Sequence, residues 1–224
     1  FWIAVGQIIL IDILLGGDNA VVIALACRSL PPQQRVKGIL WGTAGAIVLR
    51  VILIFFALTL LKIPFIKLVG AVLLVWIGIK LLLPEPPEGH DIVASDKLWS
   101  AVKTIIVADF VMSLDNVIGV AAAAKGSLAL LLFGLAVSIP LIVWTSQLFL
   151  KLMERFPVII TLGAGLLGYV AGGMMVSDAA IADRVRAAIP AASHLAGAIG
   201  AVLVVAVGSW LGWRAAAREE RTVL

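Results

Sequence analysis

Charge is what this sequence lacks most: only 13% of its 224 residues are Asp, Glu, Lys or Arg, against roughly 25% in a water-soluble domain. A chain so poor in charge and 62% apolar, with a mean hydropathy of +1.16, cannot cover a soluble globule with polar surface. Its solvent is a bilayer. The same scarcity argues against a disordered chain and a nucleic-acid binder, because the net charge of +4 comes from loop cations and not from a basic face. The single cysteine, Cys27, leaves no disulfide to form within the chain. Two histidines, one cysteine and no CxxC or HxxxH spacing argue against a structural zinc or a thiolate metal site. No basic region precedes the first apolar stretch after Phe1, so no cleaved signal peptide is expected.

What the chain does have is long apolar runs. A hydrocarbon core about 30 Å thick takes roughly 20 helical residues, and seven segments fit, near 2–27, 37–61, 64–83, 100–124, 127–150, 157–177 and 192–213. They are punctuated by Pro31-Pro32, Pro64, the proline-rich linker from Pro84 to Gly89, Lys125-Gly126, Pro157 and Pro190, residues that end helices or open them. Runs of this length are helices and not ten-residue barrel strands, so the expected fold is an all-α polytopic membrane protein. One face would hold Arg28, Arg35, Lys37, Lys80, Lys97, Lys103, Lys151, Arg155, Arg214, Arg218 and Arg221, and the other Lys62, Lys67, Lys125, Arg184 and Arg186. The richer face is expected in the cytoplasm, which puts the N-terminus outside and the C-terminus inside. Residues 178–190 alternate apolar and charged positions and read as a short helix lying at the outer surface.

The chain repeats itself. Asp12-Ile-Leu-Leu-Gly-Gly-Asp18-Asn19 aligns with Asp109-Phe-Val-Met-Ser-Leu-Asp115-Asn116, at an offset of 97 for both aspartates (109 − 12 and 115 − 18). A second match, at offset 93, sets Gly70-Ala71-Val-Leu73-Leu74 against Gly163-Ala164-Gly-Leu166-Leu167. Residues 1–83 and 99–177 are therefore expected to form two three-span repeats around a cytoplasmic linker at 84–98. The interfacial helix at 178–190 and a last span with a cytoplasmic tail at 191–224 follow. An odd span count inverts the second unit in the membrane, the plan of many secondary transporters. Chance resemblance between two Leu/Val-rich helices accounts for the glycine-alanine match as readily. It accounts poorly for a twice-occurring pair of intramembrane aspartates.

Of the thirteen acidic residues, Asp12, Asp18, Asp109 and Asp115 fall inside apolar spans. At about 2.5–3.5 kcal/mol per central aspartate, the four together cost on the order of 10 kcal/mol unless protons, a bound cation or the intramembrane Arg50 compensates them. Asp12 and Asn19 share a helical stripe, as do Asp109 and Asn116, while drawing Asp18 fully into a common site calls for the local unwinding that Gly16-Gly17 permits. A donor set of carboxylates and amides suits a hard divalent cation, Mn²⁺, Mg²⁺ or Ca²⁺, and excess negative charge favours protons that metal binding would displace. Arg50 reads either as a counter-ion to the aspartates or as a snorkelling side chain paired with a carbonyl. Pro140 and the glycines Gly163, Gly165, Gly168, Gly172 and Gly173 read as a kink and close helix packing, with a moving gate as the alternative.

The duplicated Asp-x5-Asp-Asn motif, in the form Gly-Gly-Asp-Asn-Ala in the first copy and Ser-Leu-Asp-Asn in the second, resembles the TerC family of integral membrane proteins, in its YjbE-type bacterial branch within the LysE superfamily. The resemblance covers nearly the whole chain. It implies metal homeostasis, chiefly manganese export, with an association with tellurium resistance, and an ion site formed by Asp12, Asp18, Asn19, Asp109, Asp115 and Asn116. The expectation is thus a non-enzymatic transporter of the bacterial inner (plasma) membrane. It has no cofactor, and its partners are a divalent cation, the lipid bilayer and protons; the oligomeric state is left open. Two rival readings are a LysE-like exporter of an organic solute and an intramembrane aspartyl protease. A protease uses one dyad sharing a proton, and neither its duplication nor the asparagine after each second aspartate follows from that chemistry.

Overall fold

The structure, a computed structural model, describes residues 17–60, 63–84, 94–123, 128–189 and 191–222. Eight helices run through them: α1 (Gly17–Cys27), α2 (Pro32–Leu60), α3 (Ile66–Leu82), α4 (Ala94–Ala123), α5 (Leu128–Arg155), α6 (Val158–Val176), α7 (Ala182–Ala188) and α8 (Ala192–Thr222). Four contain stretches long and apolar enough to cross a bilayer: Pro32–Phe56, Ala136–Arg155, Val158–Val176 and Ala192–Ala215. At 17 residues, α3 reaches about 25 Å, the short end of the spanning range. The first half of the expected first span lies outside the described residues. Large apolar side chains such as Trp41, Phe55, Val69, Trp144, Leu162, Ile199 and Trp213 lie exposed. An apolar exterior this extensive belongs against lipid, and the chain is a multi-pass membrane protein.

Several helix ends differ from the expected ones for local reasons. Pro32 is the first residue of α2, where its missing N–H leaves nothing unsatisfied and its fixed φ suits the first turn. In α4, helix begins at Ala94 instead of near residue 100, with Asp96 in its first turn complementing the helix dipole; hydropathy sees only the apolar part of this helix. The short α7 occupies the segment read as an outer-surface helix, with Asp183 in its first turn.

The chain divides into two compact units that interleave along the sequence. One takes α1, α2, α4 and α5, and the other α3, α6, α7 and α8. In the first unit α2 packs along α4 through small residues: a methyl group added at Gly42 would lie 2.5 Å from Ile105 Cδ1, and one at Gly45 2.5 Å from Ile106 Cδ1. Glycine at these two positions lets the backbones close up. Arg35 fastens the end of the unit. It donates through Nε to the Leu30 carbonyl at 3.0 Å and through Nη2 to the Arg28 carbonyl at 3.1 Å, and pairs with Glu154 of α5.

The second unit is built on α6 against α8, with α3 packed on both. Gly168 and Gly172 of α6 meet the α8 backbone at Gly200 and Ala196. Asp178, fully buried in the turn between α6 and α7, closes the start of α3. Its Oδ1 accepts the N–H of Phe65 at 2.9 Å and its Oδ2 those of Lys67 and Leu68 at 3.0 and 3.3 Å. These amides belong to a first helical turn, which has no intrahelical acceptors of its own. The turn enters through Phe65 in the left-handed region, φ 67°.

Candidate functional site

The site grows out of one face of α2. Ile39, Thr43, Ala46, Arg50 and Leu53 are buried and recur at spacings of four and three, the stripe a helix presents to a packed neighbour. Two members of that stripe are polar, which no apolar core requires. Opposite them, α4 buries Ile105, Ala108, Asp109, Met112 and Ser113. Asp109 and Ser113, four residues apart, stand on the same side of that helix.

Arg50 and Asp109 are each only 6% exposed, and they meet. Arg50 Nη2 donates to Asp109 Oδ1 at 2.5 Å, Arg50 Nε donates to Ser113 Oγ at 3.2 Å, and the Ser113 hydroxyl donates to Asp109 Oδ2 at 3.1 Å. The triangle satisfies both carboxylate oxygens, as a charge at this depth demands. It is charge-assisted on its Arg50 side, the stronger class of hydrogen bond.

Asp18 and Asn19 lie on α1. Asp18 is half-buried, accepts the backbone N–H of Asn19 on Oδ1 at 2.9 Å, and is within electrostatic range of both Arg50 and Asp109. Asn19 is 4% exposed, and neither its Oδ1 nor its Nδ2 has a hydrogen-bond partner among the described residues. The Oγ1 of Thr43 is in the same position, whereas the hydroxyls of Thr104 and Ser146 are bonded to carbonyls four residues back. A buried amide without a partner costs about 1–3 kcal/mol, and among the described residues nothing offsets that cost at Asn19.

Of the residues picked out in the sequence, Asp18, Asp109 and Arg50 share one electrostatic neighbourhood, with Asn19 next to Asp18 in the chain. Asp12 lies outside the described residues. Asp115 and Asn116 continue α4 beyond Asp109, their side chains likewise outside the described set. Among the described residues no three His, Cys, Asp or Glu side chains are grouped to hold a metal ion. Sequence reading did not assign a role to Ser113, Thr43 or Asp178. Ser113 carried a signal in its spacing from Asp109, and Thr43 in its seven-residue spacing from Arg50. Asp178 carried none, because the α3 amides it accepts lie more than a hundred positions away.

Residues 1–219 match the Integral membrane protein TerC family. The membrane protein YjbE of Bacillus subtilis (strain 168) is 46% identical over 168 residues, covering 75% of this chain and 77% of its own. The membrane protein YceF of the same organism is 28% identical over 179 residues, covering 76% and 69%. The inner membrane protein YgdQ of Escherichia coli (strain K12) is 26% identical over 174 residues, covering 70% and 73%. No solved structure matches the chain. With a duplicated aspartate motif in apolar stretches of its sequence and a family match over nearly its whole length, the chain belongs to the TerC family of integral membrane proteins.

Proposed function

We propose that the protein is a transporter that exports a hard divalent cation, Mn²⁺ first among them, in exchange for protons. Its ion site is formed by Asp12, Asp18, Asn19, Asp109, Asp115 and Asn116. The observation that carries this reading is a buried carboxylate, Asp109, beside a second acid, Asp18, and an amide, Asn19, whose oxygen and nitrogen lack partners among the described residues. Buried oxygen donors of this kind have a use in coordinating a hard cation and none in apolar packing. The preference for Mn²⁺ over Mg²⁺ and Ca²⁺ comes from the family resemblance alone.

The reading includes seven spans in two inverted repeats. The interleaved units favour it: α1, α2, α4 and α5, the first two spans of each proposed repeat, fall in one unit, and α3 and α6, the third span of each, in the other. It also puts the protein in a bacterial inner membrane, as the relative YgdQ is described, with the N-terminus outside and the C-terminus in the cytoplasm, and assigns no enzymatic activity. The test is reconstitution into liposomes against a panel of divalent ions, basic amino acids and a peptide substrate for aspartyl proteases. Uptake of Mn²⁺ that Asp18→Asn abolishes is the expected outcome. Amino-acid transport, or peptide cleavage with no ion movement, overturns it.

A further inference from the structure

The geometry of Asp109 raises a question that its assignment as an ion ligand leaves unanswered, because the carboxylate is already occupied. Its Oδ1 holds the Arg50 guanidinium at 2.5 Å and its Oδ2 the Ser113 hydroxyl at 3.1 Å. A divalent ion binds carboxylate oxygen at about 2.0–2.6 Å. An ion on Oδ1 would therefore sit within roughly 5 Å of the guanidinium nitrogen, with little water between the like charges to screen them. Ion and guanidinium therefore compete for Asp109.

We propose that Arg50 is a resident surrogate for the transported ion: its guanidinium neutralises Asp109 while the site is empty and is displaced when the ion is captured. The inference rests on the cation-transport reading above. Ser113 is the tether in this exchange. Its hydroxyl accepts from Arg50 Nε at 3.2 Å, two bonds further back along the side chain than the nitrogen that holds Asp109, so the guanidinium can release the carboxylate and stay anchored beside it. Asn19 supplies the complementary observation. While Asp109 is filled, the buried amide one helix away is unpartnered among the described residues, as a ligand position awaiting its ion should be.

The consequence is a division of labour between two transport modes. Net efflux requires the ion-free protein to reset across the membrane; the exchanged protons neutralise the other acids on that step, and Arg50 does so for Asp109, whose charge at that depth would otherwise oppose it. Ion-for-ion exchange never passes through the empty form. Arg50 is therefore a positioning residue that acts on Asp109, needed for the first mode and dispensable for the second.

Arg50→Gln is the test, read in proteoliposomes as net Mn²⁺ efflux and, in the same preparation, as exchange of radioactive for unlabelled Mn²⁺. Equilibrium Mn²⁺ binding is measured in detergent. Removing the competing charge should tighten binding about tenfold, cut net efflux by at least about tenfold and leave exchange within about twofold of wild type. Preserved exchange also reports that the variant is folded. Parallel loss of both modes, or retention of both, overturns the inference, as does unchanged affinity. Should Arg50→Gln fail to reach the membrane, Arg50→Lys carries the test, since an ammonium keeps the charge but lacks the fork that reaches Asp109 and Ser113 together. Net efflux should then fall relative to exchange, and an unchanged ratio overturns the inference. A wild-type protein that neither binds nor moves any divalent ion sinks the transport reading and this inference with it. An active wild type with an unaltered balance of modes in the variant sinks the inference alone.

Discussion

Asparagine is nearly isosteric with aspartate, so replacing the acids one at a time separates charge from shape. The bonds around each acid then decide the outcome. Asp18 accepts a neighbouring backbone N–H, a bond an amide oxygen also accepts, so Asp18→Asn should insert and melt as wild type or slightly higher while abolishing transport. Asp109→Asn should abolish transport too, but it leaves the Arg50 charge buried without its carboxylate. Breaking such a pair costs about 3–5 kcal/mol, and thermal melting in detergent should show a large drop for Asp109→Asn alone. Equal melting of the two variants would deny the pair a structural role. The aspartates were legible in the sequence because acids within apolar spans are rare. Their partner was not: Arg50 and Asp109 are 59 positions apart, and hydropathy carries no information on which helices touch.

At the level of helices, the glycines of α6 sort by what lies opposite them. An added methyl at Gly172 would run into the Ala196 carbonyl of α8, whereas at Gly173 the nearest atom is the Ser193 oxygen at 3.9 Å. Gly172→Ala therefore forces two backbones apart, at about 1–3 kcal/mol. Gly173→Ala gains up to about 1 kcal/mol of helix propensity. Opposite shifts of the melting midpoint are expected, and a loss of similar size in both would point to backbone flexibility as the use of the glycine run. The start of α3 offers a pH test. Burial works to raise the Asp178 carboxyl, but the backbone N–H groups of Ala180, Phe65, Leu68 and Lys67 outweigh it and hold the group below the usual aspartate range. A depressed folded-state pKa means that the ionised group stabilises the fold above the unfolded value of about 3.9, and that this contribution is lost as pH falls through the folded value. Asp178→Asn should thus lower the midpoint at pH 7, by the equivalent of about 1–3 kcal/mol, and the gap to wild type should narrow below about pH 4. A gap of constant size would assign the effect to shape and not charge.

For the whole molecule, the sequence specified helices well, since apolar runs of bilayer length bounded by prolines admit little else. It could not specify how they group. A repeat along the chain is not a packing unit: α3, within residues 1–83, packs on α6 and α8, because packing follows surface shape and small residues and not chain order. The site's charge carries a final prediction, about direction and coupling. In the proposed site, four carboxylates opposed by one arginine would leave an excess of negative charge, and an ion captured there would displace protons held by the remaining acids. An exporter has to capture its ion at low cytoplasmic concentration and release it outside. On that proposal, protons arriving from the outer face would weaken the site on that side and expel the ion. Mn²⁺ efflux should therefore speed up as the exterior is made more acidic and should acidify the cytoplasmic side, and cells lacking the protein should accumulate manganese. The decisive measurement is Mn²⁺ flux in proteoliposomes with voltage clamped, with and without a pH gradient. Equal rates in the two conditions would remove proton exchange from the mechanism and leave the cation site to be driven by the ion's own gradient.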